Sequence, residues 1–382
     1  MTCSTEVIIS IGQSDPGQLR RYHNAHSHVR FGPSAPRPHV HTSVPIAFNF
    51  QDSRQPADLR EFWLIANVKQ TPSSFKTAST KMASVYKVAL VQLCPKPLAI
   101  DYNYQKAVEF IRKAASKGCD LAVLPEYHLT SWVPDEPEFL QLCHHDITSK
   151  YLSGYQSLAS ELKISIVPGT ICTLHPETSH LHNTAHFISP EGKIVSSYNK
   201  KNLWHPERPH LTSSTNDAHT TFDTPLGKVG MLICWDAAFP EAFRELVSQG
   251  AKIIIIPTFW TLSDCTPAGL ARNSLSEELF VQSTLVSRAF ENTCGIIFCN
   301  AGAPVGKGKE DSGFLGISQV TVPFQGALGK MGREEGMNVV ELDMQILEDA
   351  EEAYKVRMDI GGDDWHYAHT LKRGNNNEES KL

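Results

Sequence analysis

The chain has 382 residues, 41% of them hydrophobic, which is enough for one large core or two. Its formal net charge of -6 argues against general nucleic-acid binding, and no apolar run approaches the roughly 18 residues that span a bilayer. Nine cysteines with no Cys-x-x-Cys pair and no secretory signal read as reduced intracellular thiols, not as a disulfide framework or zinc ribbon.

Residues 1–81 differ from the rest: they are rich in His, Ser, Pro and Arg and poor in periodic apolar segments, so a mostly disordered extension is expected. Met82 offers an alternative start just beyond it. The pairs His26/His28 and His39/His41 lack a strand and supporting carboxylates, so no metal site is expected there. Arg20, Arg21 and Arg30 suit a transit peptide, but Glu6 and Asp15 spoil its acid-poor pattern.

From residue 85 the chain alternates regularly. The apolar pattern predicts a strand over 85–93, a helix from about 104 that stops at Gly118, and a buried strand over 121–124. A helix over 152–162 and a strand over 164–171 follow. Two hairpins then turn at Pro190-Glu191-Gly192 and Pro225-Leu226-Gly227. Further strands are expected over 229–233, 253–256, 295–299, 316–322 and 338–342, with helices from Pro240 to Gly250, over 278–290 and over 346–354. Crossovers mixed with hairpins give an α/β fold with mixed sheets and helices packed outside, over 82–360, before a polar tail over 361–382.

Three predicted strand ends carry residues capable of chemistry: Glu126, Lys200 and Cys234. Taken singly, each has a plainer reading, as a solvated loop carboxylate, a surface lysine and a buried structural cysteine. Cys234 stands where a strand gives way to a helix, whose N-terminus would favour a thiolate. Together the three supply what cleavage of a carbon–nitrogen bond requires. A carboxylate in a dry site takes the thiol proton, and a fixed lysine with the amide after the nucleophile holds the oxyanion.

Leu124-Pro125-Glu126, Tyr198-x-Lys200-x-x-Leu203 and Gly230-Met231-Leu232-Ile233-Cys234-Trp235-Asp236 with Phe239-Pro240-Glu241 resemble the glutamate, lysine and cysteine motifs of the nitrilase (carbon-nitrogen hydrolase) superfamily. Pro257-Thr258, Arg288-Ala289-Phe290-Glu291-Asn292, Asn300 and Gly316-Ile317-Ser318 agree too, in the family's order, from about Lys87 to about Tyr354. The resemblance implies an α-β-β-α sandwich with two mixed sheets that usually dimerises through its outer helices, and no metal or organic cofactor. It implies that Cys234 attacks, that Glu126 moves the proton, and that Lys200 and the backbone N–H of Trp235 hold the oxyanion. A thioester forms, ammonia leaves and water releases the acid. Glu207 stands where amidase-type members place a second glutamate, with an exposed partner of Arg208 as the other reading.

Trp235-Asp236 with Phe239-Pro240-Glu241 resembles amidase and carbamoylase members more than nitrilases, so a linear amide or N-carbamoyl substrate is expected. A nitrile substrate, an acyl transfer or a catalytically silent binding protein are the alternatives. Asn202 in place of a common His, and Thr212-Ser213-Ser214 in place of a Pro-Gly turn, point to an altered pocket wall. The longer segment 261–276 reads as a lid or rim. Phe259 and Trp260 before it read as core, or else as pocket lining. Arg288 and Glu291 read as a structural ion pair on a helix.

The chain ends Ser380-Lys381-Leu382, the tripeptide read by the peroxisomal import receptor. A peroxisomal location is therefore expected, with the cytoplasm as alternative. A fluorescently tagged chain lacking Ser380-Lys381-Leu382 should stay in the cytosol under the microscope; peroxisomal signal from that truncation would remove the tripeptide as the address.

Overall fold

A computed structural model describes residues 84–214, 216–307 and 313–367, together with Ile9–Ser10 and Ile65–Ala66. Residues Met1–Thr80 form a unit of their own, in which Ile9–Ser10 pairs antiparallel with Ile65–Ala66. The paired histidines and most of the expected disordered extension lie outside the described residues, as do Ser380, Lys381 and Leu382.

The second unit is built on two stacked sheets. One runs in the order Gly336–Asp343, Val85–Gln92, Leu121–Val123, Ser165–Val167, His180–Ile188 and Thr170–His175, with Ile194–Asn199 also paired to His180–Ile188. Val85–Gln92, Leu121–Val123 and Ser165–Val167 are parallel and the other pairings antiparallel, so the sheet is mixed. The other sheet runs Gly326–Leu328, Gln319–Val322, Gly295–Asn300, Ile253–Thr258, Gly227–Met231 and Thr221–Thr224, with a parallel centre and antiparallel edges.

The central strands read as unbroken apolar runs because both of their faces are buried. In Val85–Gln92, Val88 and Leu90 join the core shared with the second sheet, whereas Ala89 and Val91 face Ala107, Ile111 and Ala114 of helix Ile100–Ser116. Leu121 and Val123 against Ala122 repeat the alternation. On the far side, helices Pro240–Ser248 and Ser276–Asn292 add Phe243, Leu246, Leu285 and Ala289 to the second sheet's core. Helix, sheet, sheet, helix is the expected α-β-β-α order. Among the described residues, no helix is long and apolar enough to cross a membrane.

Several boundaries differ from expectation for local reasons. The strand expected over 164–171 is two strands, Ser165–Val167 and Thr170–His175, parted at Pro168-Gly169. Proline lacks a ladder donor, and Gly169 has φ +67°, a conformation that glycine adopts without strain. The helix expected over 152–162 begins earlier, at His145, because its buried stripe also takes Thr148 and Tyr151. Helices Pro137–Leu142 and Pro267–Arg272 were not expected; both are too short to show a period, though each opens on proline.

Gly169 also bears on the site. A β-carbon there would lie 1.9 Å from the carbonyl oxygen of Pro125, the residue before Glu126. Gly169→Ala should therefore cost about 2–4 kcal/mol of unfolding free energy, from left-handed strain plus overpacking. Gly118→Ala, at φ +69° with nothing within 4 Å, should cost only the strain, about 1–2 kcal/mol. Urea midpoints check both; equal losses at the two positions would sink the packing explanation.

Candidate active site

Glu126 and Lys200 leave the first sheet, and Cys234 leaves the second, so the site straddles the seam between them. Glu126 follows Leu121–Val123; its N–H donates to the carbonyl of Thr258 at 3.2 Å, and the next N–H, of Tyr127, donates to Thr170 Oγ1 at 3.0 Å. Its backbone is thereby fixed to both sheets. Lys200 follows Ile194–Asn199 and donates its N–H to the carbonyl of Asn183 at 2.9 Å.

The centre of the site is a buried ammonium between two carboxylates. Lys200 Nζ donates to Glu126 Oε1 at 2.8 Å and to Glu207 Oε1 at 2.7 Å, and all three side chains are withdrawn from solvent. Asn183 Nδ2 adds a bond to Glu126 Oε1 at 2.7 Å. Glu207 accepts from the Tyr127 hydroxyl and, through Oε2, from the Trp204 N–H at 2.7 Å. It is therefore not an exposed partner of Arg208, whose Nε donates instead to the carbonyl of Leu203 at 3.4 Å.

Burial sets the protonation states. Desolvation raises the Glu126 carboxyl to about 7; the Lys200 charge opposes that rise and the Glu207 charge adds to it. Burial works against the Lys200 ammonium, but Glu126 and Glu207 outweigh it and hold its pKa well above the ordinary lysine value. Cys234 departs from expectation. Burial, then the Glu126 charge, push its thiol well above the usual value in spite of Lys200. That direction favours a neutral thiol at Cys234 over the thiolate that a helix N-terminus would favour.

The local backbone is also not that of a helix N-terminus. Strand Gly227–Met231 passes into a 3-10 turn, Cys234–Ala238, and the helix begins only at Pro240. Cys234 opens that turn with φ +45°, a left-handed conformation that costs a non-glycine residue about 1–2 kcal/mol. Asp236 holds it there. Fully buried, its carboxylate accepts the Ile233 N–H at 2.9 Å, the Tyr198 hydroxyl at 2.8 Å, and the Asn202 N–H and Nδ2 at 2.9 and 2.8 Å. One carboxylate thus ties the chain beside Cys234 to both flanks of Lys200.

Glu126, Glu207 and Cys234 line one cavity of about 190 Å³, whose walls include Trp132, Trp204, Trp235, Phe259, Trp260 and Phe280. Phe259 and Trp260 therefore line the pocket, although Trp260 is also buried in the core. Thr261 and Asp264 from the long segment 261–276 line part of the pocket. Neither Asn202 nor Thr212-Ser213-Ser214 lies on the wall; Asn202 serves Asp236, and Ser213 and Ser214 bond the carbonyls of Lys201 and Asn199 at 2.6 and 2.7 Å. Arg288 pairs with Glu291 at 2.9 Å on its helix, away from this cavity's lining. Sequence reasoning passed over Asn183, Trp132, Trp204 and Glu277. Tyr127 directly follows the Leu124-Pro125-Glu126 motif, whereas a lone Asn on a strand carries no signal.

The family model for carbon-nitrogen hydrolases matches residues 87–352. The chain belongs to the carbon-nitrogen hydrolase family. Among other carbon-nitrogen hydrolases, a 2-oxoglutaramate amidase of Bacillus subtilis is 29% identical over 272 residues, 70% of this chain and 96% of that protein. Omega-amidase NIT3 of Saccharomyces cerevisiae is 28% identical over 287 residues, 72% of this chain and 94% of that one. The crystal structure of Saccharomyces cerevisiae Nit3, a member of the nitrilase superfamily, superposes with a TM-score of 0.61 at 28% identity, over 73% of this chain and 97% of that one.

Asp236→Asn should lower unfolding free energy by about 2–4 kcal/mol, because an amide cannot accept the whole set of donors and leaves buried N–H groups unpaired. Thermal and denaturant melts measure it. A variant as stable as the parent would mean that the clamp does not hold the turn.

Proposed function

We propose that this carbon-nitrogen hydrolase is a cysteine-dependent amidase that hydrolyses a linear amide or N-carbamoyl compound through a thioester. The observation that carries the reading is the shared cavity of Glu126 and Cys234 with Lys200 clamped behind it. The Bacillus and yeast relatives, both named as amidases, favour an amide over a nitrile.

The chemistry follows from the protonation states. As substrate displaces solvent, the Glu126 carboxylate takes the Cys234 proton and the sulfur attacks the carbonyl carbon. An ammonium has three N–H donors, and the two glutamates use two of those on Lys200. The third, with the backbone N–H of Trp235, stabilises the oxyanion. Glu126 returns the proton to the leaving nitrogen, ammonia departs and the thioester remains. Water deprotonated by Glu126 then cleaves the thioester, giving the acid and the regenerated thiol. Both oxygens of Glu207 are engaged, so it acts as a positioning residue, keeping Lys200 charged and aimed, and not as a second proton carrier.

Cys234→Ala should reduce ammonia release at least about 10³-fold with the melting curve nearly unchanged, as loss of a nucleophile does. Full activity in that variant would end the proposal, as would turnover of nitriles without the matching amides. The base must be ionised, and its pKa is raised to about 7. Hence kcat/KM should fall about tenfold per pH unit on the acid side of neutrality and level off above it. Glu207→Gln removes a neighbouring negative charge, so the acid limb should move to lower pH. A limb unmoved or moved upward would contradict the assignment of Glu126 as base.

A further inference from the structure

The lining of the cavity is apolar and acidic at once. Among the described residues that form it, none is Arg, Lys or His, whereas Glu126, Glu207, Asp264 and Glu277 are carboxylates. Lys200, behind the wall, is shared between Glu126 and Glu207 and bonds neither Asp264 nor Glu277. Both of those carboxylates are held in place. Asp264 Oδ2 accepts the Thr261 N–H at 2.7 Å, and Glu277 Oε2 accepts Trp260 Nε1 at 2.6 Å. Glu277 is only 8% exposed.

The aromatic groups beside them form a connected wall. Trp260 meets Phe280 at 5.5 Å and Trp235 at 5.8 Å, and Trp235 meets Trp204 at 4.4 Å between ring centroids. Aromatic faces next to fixed carboxylates attract an organic cation and repel an anion. Fully buried Glu126 lines the same cavity, and its Oε2 takes no hydrogen bond among the described residues, which marks the cavity as a place where a ligand with N–H groups is received. Burial, and then hydrogen bonding to Thr261 and the Glu277 charge, act on Asp264, with a net rise above the usual aspartate value. A cation nearby would favour its ionised form.

Resting on the amidase reading, we propose that the substrate is an amide or carbamoyl compound that carries an ammonium group, recognised by Asp264 and Glu277 against Trp235, Trp260 and Phe280. The 2-oxoglutaramate of the Bacillus relative's name is an anion, and a carboxylate of that kind would meet no cationic partner on the described wall.

A matched series decides it: 5-aminopentanamide, pentanamide and the monoamide of glutaric acid, alike in length and differing in terminal charge. Calorimetric titration of Cys234→Ala should give a Kd for 5-aminopentanamide at least tenfold below that for pentanamide, with the anionic monoamide weakest. Adding Asp264→Asn or Glu277→Gln, the second of which keeps an acceptor for Trp260, should shrink the cation preference severalfold. Equal affinities, or tighter binding of the anion, would overturn the proposal even if either variant failed to fold, because the series on Cys234→Ala alone decides. Ammonia release by the unsubstituted protein separates the two readings. Hydrolysis without a charge preference refutes the cationic substrate and leaves the amidase. A ranked set of Kd values with no hydrolysis of any probe refutes the amidase and leaves the charge-selective cavity.

Discussion

The Lys200 ammonium, shut away from water between Glu126 and Glu207, is the constraint around which the site is arranged. A charge in that position is tolerable only with its counter-charges in contact, and breaking such a set leaves an uncompensated ion at a cost of about 3–5 kcal/mol. The pairing also explains why Glu126 titrates near neutrality. Burial alone would push a carboxyl far upward, and the lysine restrains it. A carboxyl with a pKa of about 7 can act both as base and as acid near neutral pH, as the proposed two-step hydrolysis would demand of it.

Asp236 plays the complementary part with neutral donors. It gathers Tyr198 and Asn202 from the chain around Lys200 and Ile233 from the chain before Cys234. The left-handed turn at Cys234 is costly by itself, and the acceptor set of a buried carboxylate offsets it. Asn202, a departure from the family pattern, takes part in this clamp through both its backbone and its amide.

Much of the layered fold could be read from the chain because its strands are short apolar runs punctuated by Gly and Pro, as in Leu121–Val123 and Ile253–Thr258. The positions of Glu126, Lys200 and Cys234 at strand ends followed from the same pattern together with the family motifs. Two things did not follow. The protonation state of Cys234 was misjudged because a local rule about helix ends was applied where long-range burial and the Glu126 charge dominate. The aromatic wall was also missed in large part. Trp132, Trp204 and Phe280 lie on separate elements, and nothing in their spacing shows that the fold brings them together. Phe259 and Trp260 illustrate the limit of a burial rule, since Trp260 is both core and lining.

The Glu126 carboxyl and the Cys234 sulfur follow strands of different sheets, joined across an interface of Val, Leu and Ile side chains. A few directional bonds cross that aliphatic seam, from the Glu126 N–H to the Thr258 carbonyl and from the Ser318 N–H to Gln92 Oε1, and far more hold each ladder together. Loss of those few bonds would part the two groups while every strand stayed paired. On the proposed mechanism, turnover is therefore a finer gauge of how the layers are seated than any spectroscopic measure of helix or strand content.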